Sequence, residues 1–368
     1  LLHRRRLWNE REGKWIGWER KRGKLRELNR LLRGVTDTTF IPIRGRPPAV
    51  PEYVRYVITL DADTRLPKGT AYRLVGAMAH PLNRPRFDPR KGRVVEGYAV
   101  MQPRITPSLP TGPGSTIYQR IVSGRGGVDP YAAAVSDVYQ DLFEVGSYTG
   151  KGIYDVEAFE AALEGKVPEN ALLSHDLFEG LFARAGLVTD VDLFEEFPSH
   201  YEVAARRQHR WVRGDWQLLP WVLGHARAAA GRKPRTRIPA QGRWKMVDNL
   251  RRSLVAPSSF LLAVAAWTLP STSALLWTSV FVGSVAVPAF IPVLDGLIPW
   301  RLGISKRSHL RAVADDIFVA LSQTLLAITM LAYPAWLMAD AVVRTLGRLY
   351  VTKRSLLEWV PAAQAGYG

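Results

Sequence analysis

The sequence predicts an α/β domain over residues 1–250 followed by an α-helical membrane region over residues 251–368. Three observations carry that prediction. The apolar run "YVITL" (56–60) passes straight into Asp61-Ala62-Asp63. "GTAYRLVGAMAH" (69–80) follows with helical apolar spacing, and strand, carboxylate loop and helix in that order form an α/β unit with ligand groups at the carboxyl edge of a sheet. Composition then changes after "DNLRRSL": the stretches 254–269, 271–293 and 317–339 are free of charged residues. The last is the clearest apolar stretch of spanning length.

The elements follow in order. "GKLRELNRLLRG" (23–34) has apolar positions at helical spacing and a terminal glycine, hence a short helix and stop. A proline-rich link, "RGRPPAVPEY", leads to the strand of "YVRYVITLDAD" and the helix behind it. "VVEGYAVMQPRIT" reads as the next strand, at the sheet's edge or next to it. Residues 128–145 have helix-like spacing, and "YTGKGIYDVEAFEAALEG" reads as a glycine-rich loop entering a helix. "ENALLSHDLFEGLFARAG" reads as a loop and helix, and "LVTDVDLFEEFPSHY" as a late strand and loop. An interfacial helix is expected near 203–222, and a basic segment ends the chain.

Charge narrows the classes of partner. Fifty Lys and Arg against 33 Asp and Glu give a net +17, densest in 1–33 and 206–252. Such a balance fits a polyanion, anionic lipid or a phosphate-bearing substrate. With no cysteine, disulfides and thiolate metal sites are excluded. The chain opens on Leu1 within charged sequence and has no signal peptide, so we expect a piece of a longer protein. The basic "RLGISKRSHLR" and Asp295, between the second and third apolar stretches, fit a cytoplasmic loop. Three crossings would then leave Arg344, Arg348, Lys353 and Arg354 on the far side, against the positive-inside tendency. Either one stretch is re-entrant or the tail is an interfacial helix on the same side.

Three clusters could carry chemistry. Asp61 and Asp63 alternate, so a regular strand would point both the same way. Their repulsion would be offset by a divalent cation holding phosphate oxygens, or the pair only caps a turn. Asp176 of "LLSHDLFEG" stands before a helix beside His175; it is a helix cap or a general base. In "RRQHRWVRGDWQ" (206–217), Arg206, Arg210 and Arg213 share a helical face, as do Arg207 and Trp211. Arginine suits pyrophosphate and tryptophan suits a sugar ring, whereas an amphipathic helix on a membrane surface needs the same residues. "SGRGG" (123–127) lacks the Lys-Ser/Thr ending of a phosphate loop and reads as a turn.

The order Asp-x-Asp, aspartate loop, Arg-Trp helix, membrane segments resembles the processive family-2-like glycosyltransferases of GT-A fold. The strings "WNEREGKWIGWERKRGKLRELNRLLRG", "YVITLDADTRLPKGTAYRLVGAMAHPLNRP", "YTGKGIYDVEAF" and "SHDLFEG" resemble, more closely, the glycosyltransferase domain of cyclic β-1,2-glucan synthases. The resemblance implies a GT-A-like (Rossmann-like) domain whose first strands lie upstream of Leu1, leaving an incomplete donor pocket in this chain. It implies an inverting hexosyltransferase of the EC 2.4.1 type, in the bacterial inner membrane, multi-pass, with its catalytic domain in the cytoplasm. The substrates would be UDP-glucose and a growing β-glucan chain, with the lipid bilayer and a separate phosphorylase-like domain as further partners.

Carried over by position, the resemblance makes Asp176 the catalytic base and gives Asp61 and Asp63 to a Mg²⁺ or Mn²⁺ ion and the donor. Arg207, Arg210 and Arg213 fall to the pyrophosphate, and Trp211 and Trp216 to the acceptor. Beside the resemblance, the glycines of "YTGKGIY" would let Gly150, Lys151 and Gly152 form an acceptor-side loop, and Lys21 and Lys24 are phosphate or acceptor-loop contacts or only a solvated loop. His175 replaces the Glu of the usual Thr-Glu-Asp, and Arg207 stands where the Gln of Gln-x-x-Arg-Trp is expected. Three rivals remain open: a processive synthase of another β-linked polysaccharide, a non-catalytic membrane scaffold, and a basic nucleic-acid-binding protein. The last explains the charge but neither the apolar stretches nor the strand feeding Asp61, so no nucleic-acid partner is expected.

Overall fold

The computed structural model describes residues 1–42, 45–46, 48–108, 116–122, 134–225, 238–270, 273–298 and 305–359. A hairpin of β1 (Leu7–Asn9) and β2 (Lys14–Ile16) precedes helix α1 (Arg20–Leu32), which stops at Gly34 with φ of 84°. Strand β3 (Tyr56–Thr59), the short β4 (Thr64–Arg65) and helix α2 (Thr70–Ala79) follow. Next come a second hairpin, β5 (Arg86–Asp88) with β6 (Arg93–Glu96), the long β7 (Val100–Pro107), and helices α3 (Ile117–Val122) and α4 (Ala134–Phe143). Strand β8 (Gly152–Asp155) runs directly into α5 (Val156–Leu163), whose start is capped by the Asp155 carboxylate accepting from the Ala158 N–H. Helix α6 (Asp176–Ala183), strand β9 (Ala185–Glu195), helix α7 (Tyr201–Gln217) and the one-turn α8 (Leu219–Val222) complete the α/β part.

The result is a mixed five-stranded sheet in the order β3-β8-β7-β9-β4, parallel only between β7 and β9. Alternation along the strands supplies two cores. Val100 and Tyr154 face a cluster with Phe159, Phe178, Phe182 and Trp221, whereas Met101 and Ile153 face Leu74 and Met78 of α2. Both faces are therefore covered, each fully buried side chain contributing about 1.5–3 kcal/mol. Thr59 at the end of β3 is paired with Gly152 at the start of β8, and Thr64 with Glu195 at the end of β9. One edge of the sheet thus gathers all three chain segments.

Helix α9 (Ala240–Thr268), α10 (Ala274–Gly296), α11 (Lys306–Thr329) and α12 (Ala332–Leu346) form the remainder, ending in a π-helical turn at Gly347–Thr352. Among the described residues two helices are long and apolar enough to cross a membrane, Ala274–Leu294 and Lys306–Thr329. Only 6% and 11% of their apolar windows are buried, so they are not core helices of a water-soluble fold. Leu275, Val287 and Leu294 of α10 and Phe318, Leu321 and Leu325 of α11 are exposed.

Several expectations are corrected. "VVEGYAVMQPRIT" is not one strand at or near an edge: Gly97, with φ of 60°, separates β6 from β7, and β7 is the middle strand of the sheet. The "YTGKGIYD" loop contains β8. The 254–269 stretch is the outer half of α9, whose inner half holds the buried Lys245, Met246 and Asn249. The 317–339 stretch breaks at Met330 and Leu331 into α11 and α12. Helix α12 packs on α7 through Met338 and Ala341 against Val212, and after it the chain returns to the α/β part, where the Ser355 N–H donates to the Arg11 carbonyl. The tail therefore packs on the α/β part. Gln323 of α11 donates to the Ile121 carbonyl of α3, and about 25 Å of helix separates it from Lys306. The basic residues Lys306, Arg307 and Arg311 open α11 at the turn of the α10–α11 pair. Gly124, Gly126 and Gly127 of "SGRGG", the side chain of Asp295 and residues 301–304 lie outside the described residues.

Candidate active site

Asp61 and Asp63 sit in a turn after β3, closed by the Thr64 N–H donating to the Asp61 carbonyl at 3.1 Å. They are therefore not aligned by strand alternation, and their surroundings differ. Lys21 of α1 donates to Asp61 Oδ1 at 2.5 Å, and Lys151 stands 3.2 Å from Oδ2. Burial alone would push the Asp61 carboxyl up, but the two ammonium groups hold it down at about 2. Asp63 faces Arg207, whose Nη1 is 3.9 Å away. Both carboxylates remain reachable, 38% and 37% exposed.

Behind them lies a residue that the motifs did not single out. Glu195, buried at the end of β9, accepts from Lys151 at 3.1 Å and from Arg207. Burial opposes its charge, while Lys151 and Arg207 hold its carboxyl below the usual range. The same two acids keep Lys151 above the ordinary lysine value against its own burial. Lys21, Asp61, Lys151, Glu195, Arg207 and Asp63 thus form one alternating chain of charge. Val191, Leu193 and Glu195 occupy alternate, buried positions of β9; that alternation was the sequence signal for an inward-facing acid.

Asp176 enters the same edge from α6. Lys21 Nζ also donates to the Gly150 carbonyl at 2.8 Å. Gly150 has φ of 84°, and a Cβ there would lie 2.6 Å from Asp176 Oδ1, so only glycine lets the loop pass the carboxylate. A second close approach positions the arginine helix: a Cβ at Gly214 of α7 would lie 2.3 Å from the Ser174 Cβ. Asp176 Oδ1 is buried without a hydrogen-bond partner, 3.4 Å from His175 Nδ1. His175 Nδ1 lies 2.9 Å from Glu179 Oε2. Burial pushes the His175 imidazole down, but Glu179 and Asp176 outweigh it and raise it above its ordinary value.

The arginine helix divides its residues among several neighbours. The Arg207 guanidinium lies over the Trp211 ring at 4.8 Å. Burial and Arg207 push Arg210 down, outweighing the upward pull of Asp61, Asp63 and Glu195. Arg213 turns to the tail, donating to the Glu358 carbonyl at 3.0 Å. Trp216 is not at this site: its Nε1 donates to Ser253 of α9, and its ring packs beside Met338 of α12. Lys151 faces Asp61 and Glu195 rather than an open acceptor loop, and Gly152 belongs to β8, where a Cβ would meet the Met101 carbonyl at 2.1 Å. Besides Trp211, the fold brings in Trp359, in contact with Arg20 and Arg210 at 5.6 and 5.5 Å. A cavity of about 380 Å³ opens there, lined by Arg206, Arg207, Arg210, Arg213, Arg344 and Trp359 among others.

As donors for a divalent ion the residues fit in part. Asp63 offers hard carboxylate oxygens, with a cation no nearer than 3.9 Å among its described ion pairs. Asp61 is already neutralised by two lysines. The metal reading thus rests on Asp63 first.

Fold and site together define an α/β protein with two apolar helices and a sheet edge where acids and guanidinium groups alternate. No family model matches the chain. The cyclic β-(1,2)-glucan synthase NdvB of Rhizobium meliloti (strain 1021) is 50% identical to it over 372 aligned positions, which cover all of this chain and 13% of that relative. The chain is related along its whole length to one segment of a cyclic β-1,2-glucan synthase.

Proposed function

We propose that the chain performs the sugar-transfer step of cyclic β-1,2-glucan synthesis, as an inverting glucosyltransferase of GT-A-like fold that uses UDP-glucose. One observation carries the reading: Lys21 bridges Asp61 and the Gly150 carbonyl, and Gly150 lies against Asp176. The carboxylates expected for the donor and the one expected for the base thus meet at one edge. In the proposed reaction Asp176 accepts the proton of the acceptor 2-hydroxyl as its oxygen bonds to the anomeric carbon. The bond to UDP breaks on the opposite face, which inverts that carbon. Arg207 and Arg210 donate where charge develops on the departing diphosphate. A Mg²⁺ or Mn²⁺ ion on Asp63 would offset further charge there when bound. Asp61, held by Lys21 and Lys151, is better placed to fix those ammonium groups for the donor than to ligate the ion. The basic cavity beside Trp359 suits the diphosphate and the acceptor end.

The exposed apolar faces of α10 and α11 are proposed to cross the bacterial inner membrane as a hairpin, with the α/β part in the cytoplasm where UDP-sugars are made.

The test is glucosyl transfer from labelled UDP-glucose in membranes. The chain would be grafted into the Rhizobium meliloti relative in place of its matching segment. Divalent-dependent β-1,2 product is expected from the native graft, with Asp176→Asn slower by about a hundredfold to ten-thousandfold while UDP binding survives. Full activity in Asp176→Asn removes that residue's role, and no transfer by a folded native graft removes the reading.

A further inference from the structure

Beyond the base itself, the buried side of α6 holds two groups that the transfer reading leaves unused. His175 and Glu179 are buried, one helical turn apart, and Glu179 is 98% removed from solvent. Burying a carboxylate is costly unless a cation accompanies it. Within reach are His175 Nδ1 at 2.9 Å from Glu179 Oε2 and Arg22 of α1, which is committed to Glu19. The charged and titratable groups facing His175 are Glu179 and Asp176 on α6 and Arg22 across from it. Tyr148, whose hydroxyl is hydrogen-bonded to Thr59 Oγ1 and raised by burial, adds no charge. Two carboxylates therefore share one imidazole, and its Nδ1 also lies 3.4 Å from Asp176 Oδ1. That oxygen is buried, while the Asp176 side chain as a whole is 27% exposed. The exposure of that side chain therefore lies on atoms other than Oδ1.

We propose that Glu179 is a positioning residue: it holds the His175 ring against Asp176 Oδ1, which turns Oδ2 toward the acceptor hydroxyl. The inference rests on the reading of Asp176 as the base. Without Glu179 the imidazole has one acid instead of two, loses its proton at lower pH and leaves Oδ1 buried without a cation. The carboxylate then has no reason to keep one oxygen inward. Gly150 limits how far it can turn, so the loss is of orientation rather than of the fold.

Two readouts separate this inference from the transfer reading beneath it. In the chain itself, ¹⁵N-histidine-labelled in lipid nanodiscs and assigned by difference with His175→Gln, Glu179→Gln is expected to lower the pH at which His175 titrates. An unchanged titration overturns the proposal whether or not the protein transfers sugar. In the grafted enzyme, Glu179→Gln is expected to reduce kcat by about 10- to 100-fold, with KM for UDP-glucose within twofold of native. The alkaline limb of its kcat profile should move to lower pH, and Glu179→Asp should recover part of the rate. Full kcat, or a loss with no movement of that limb, overturns the positioning role. An inactive native graft with a shifted His175 titration in the labelled chain would instead remove the transferase reading and leave the Glu179–His175 pair standing.

Discussion

At the scale of single residues, Asp61 and Asp176 show how neighbours decide what a carboxylate does. Asp61 is clasped by two ammonium groups, so it is charged at every pH the protein meets. Asp176 has a single imidazole beside its inward oxygen and is 27% exposed, so it is reachable from the cleft. The sign of the Asp61 effect follows from its depressed value of about 2. A lowered carboxyl contributes stability that is complete above the unfolded range near 4 and disappears as pH falls through about 2. Because the side chain is 38% exposed, screening reduces the contribution to about 1 kcal/mol. Lys21→Met should therefore lower unfolding stability by that amount between pH 5 and 7. The difference from native should shrink between pH 4 and 2; a gap that persists to pH 2 would assign the loss to packing of α1. These roles were legible to different depths. Asp176 and Asp63 were readable because a helix start and a strand end are local features. Glu195 was written in the alternation of β9 but masked by its neighbour Glu196 and the loop that follows. Trp359 could not be found from local pattern, since its partners Arg20 and Arg210 are hundreds of positions away or on another helix.

At the scale of elements, α7 serves two surfaces at once. Its Arg207 faces Asp63 and Glu195, and Val212 and Trp216 face α12 and α9. Helical spacing predicted that the arginines share faces; it could not say which face meets which neighbour. Trp216→Phe tests the separation: losing the bond to Ser253 should cost about 1 kcal/mol in thermal unfolding and leave the KM for the acceptor unchanged. A raised acceptor KM would return Trp216 to the site. The break between α11 and α12 had a signal in Pro334, three residues into α12, because a proline is favoured in a helix's first turn, although Pro257 of α9 and Pro288 and Pro292 of α10 stand inside unbroken helices. The break turns a third crossing into a helix packed on the α/β part, which puts the tail's basic residues with it. The proposed crossing of the α10–α11 hairpin has its own test. The chain has no cysteine, so Ser305→Cys and Lys353→Cys can each be labelled alone with an impermeant maleimide in oriented vesicles. Opposite sides are expected; labelling of both from one side would mean that the hairpin does not cross.

At the scale of the whole molecule, the chain closes on itself. The Leu357 N–H donates to the Glu12 carboxylate, its carbonyl accepts from Arg20, and the Leu356 carbonyl accepts from Gln217. One short segment thereby ties the first hairpin, α1 and α7 together, and it carries Trp359 to the edge where Lys21 and Arg210 stand. Contacts between residues this far apart form only after the intervening chain has been ordered, so the segment is expected to report on the whole fold while contributing to the site. The two roles can be pulled apart. Leu357 is 1% exposed, and Leu357→Ala should cost about 2–5 kcal/mol, lowering the unfolding temperature and, with it, glucosyl transfer at any temperature where the tail is released. Trp359→Leu removes two cation–ring contacts worth about 0.5–1 kcal/mol each from a side chain that is 40% exposed. It should lower the unfolding temperature less than Leu357→Ala does yet raise KM for donor or acceptor, because Arg20 and Arg210 lose the surface that spaces them. If Trp359→Leu instead lowers stability as much as Leu357→Ala with KM intact, the tail is a structural clasp and the cavity beside it is not part of the reaction.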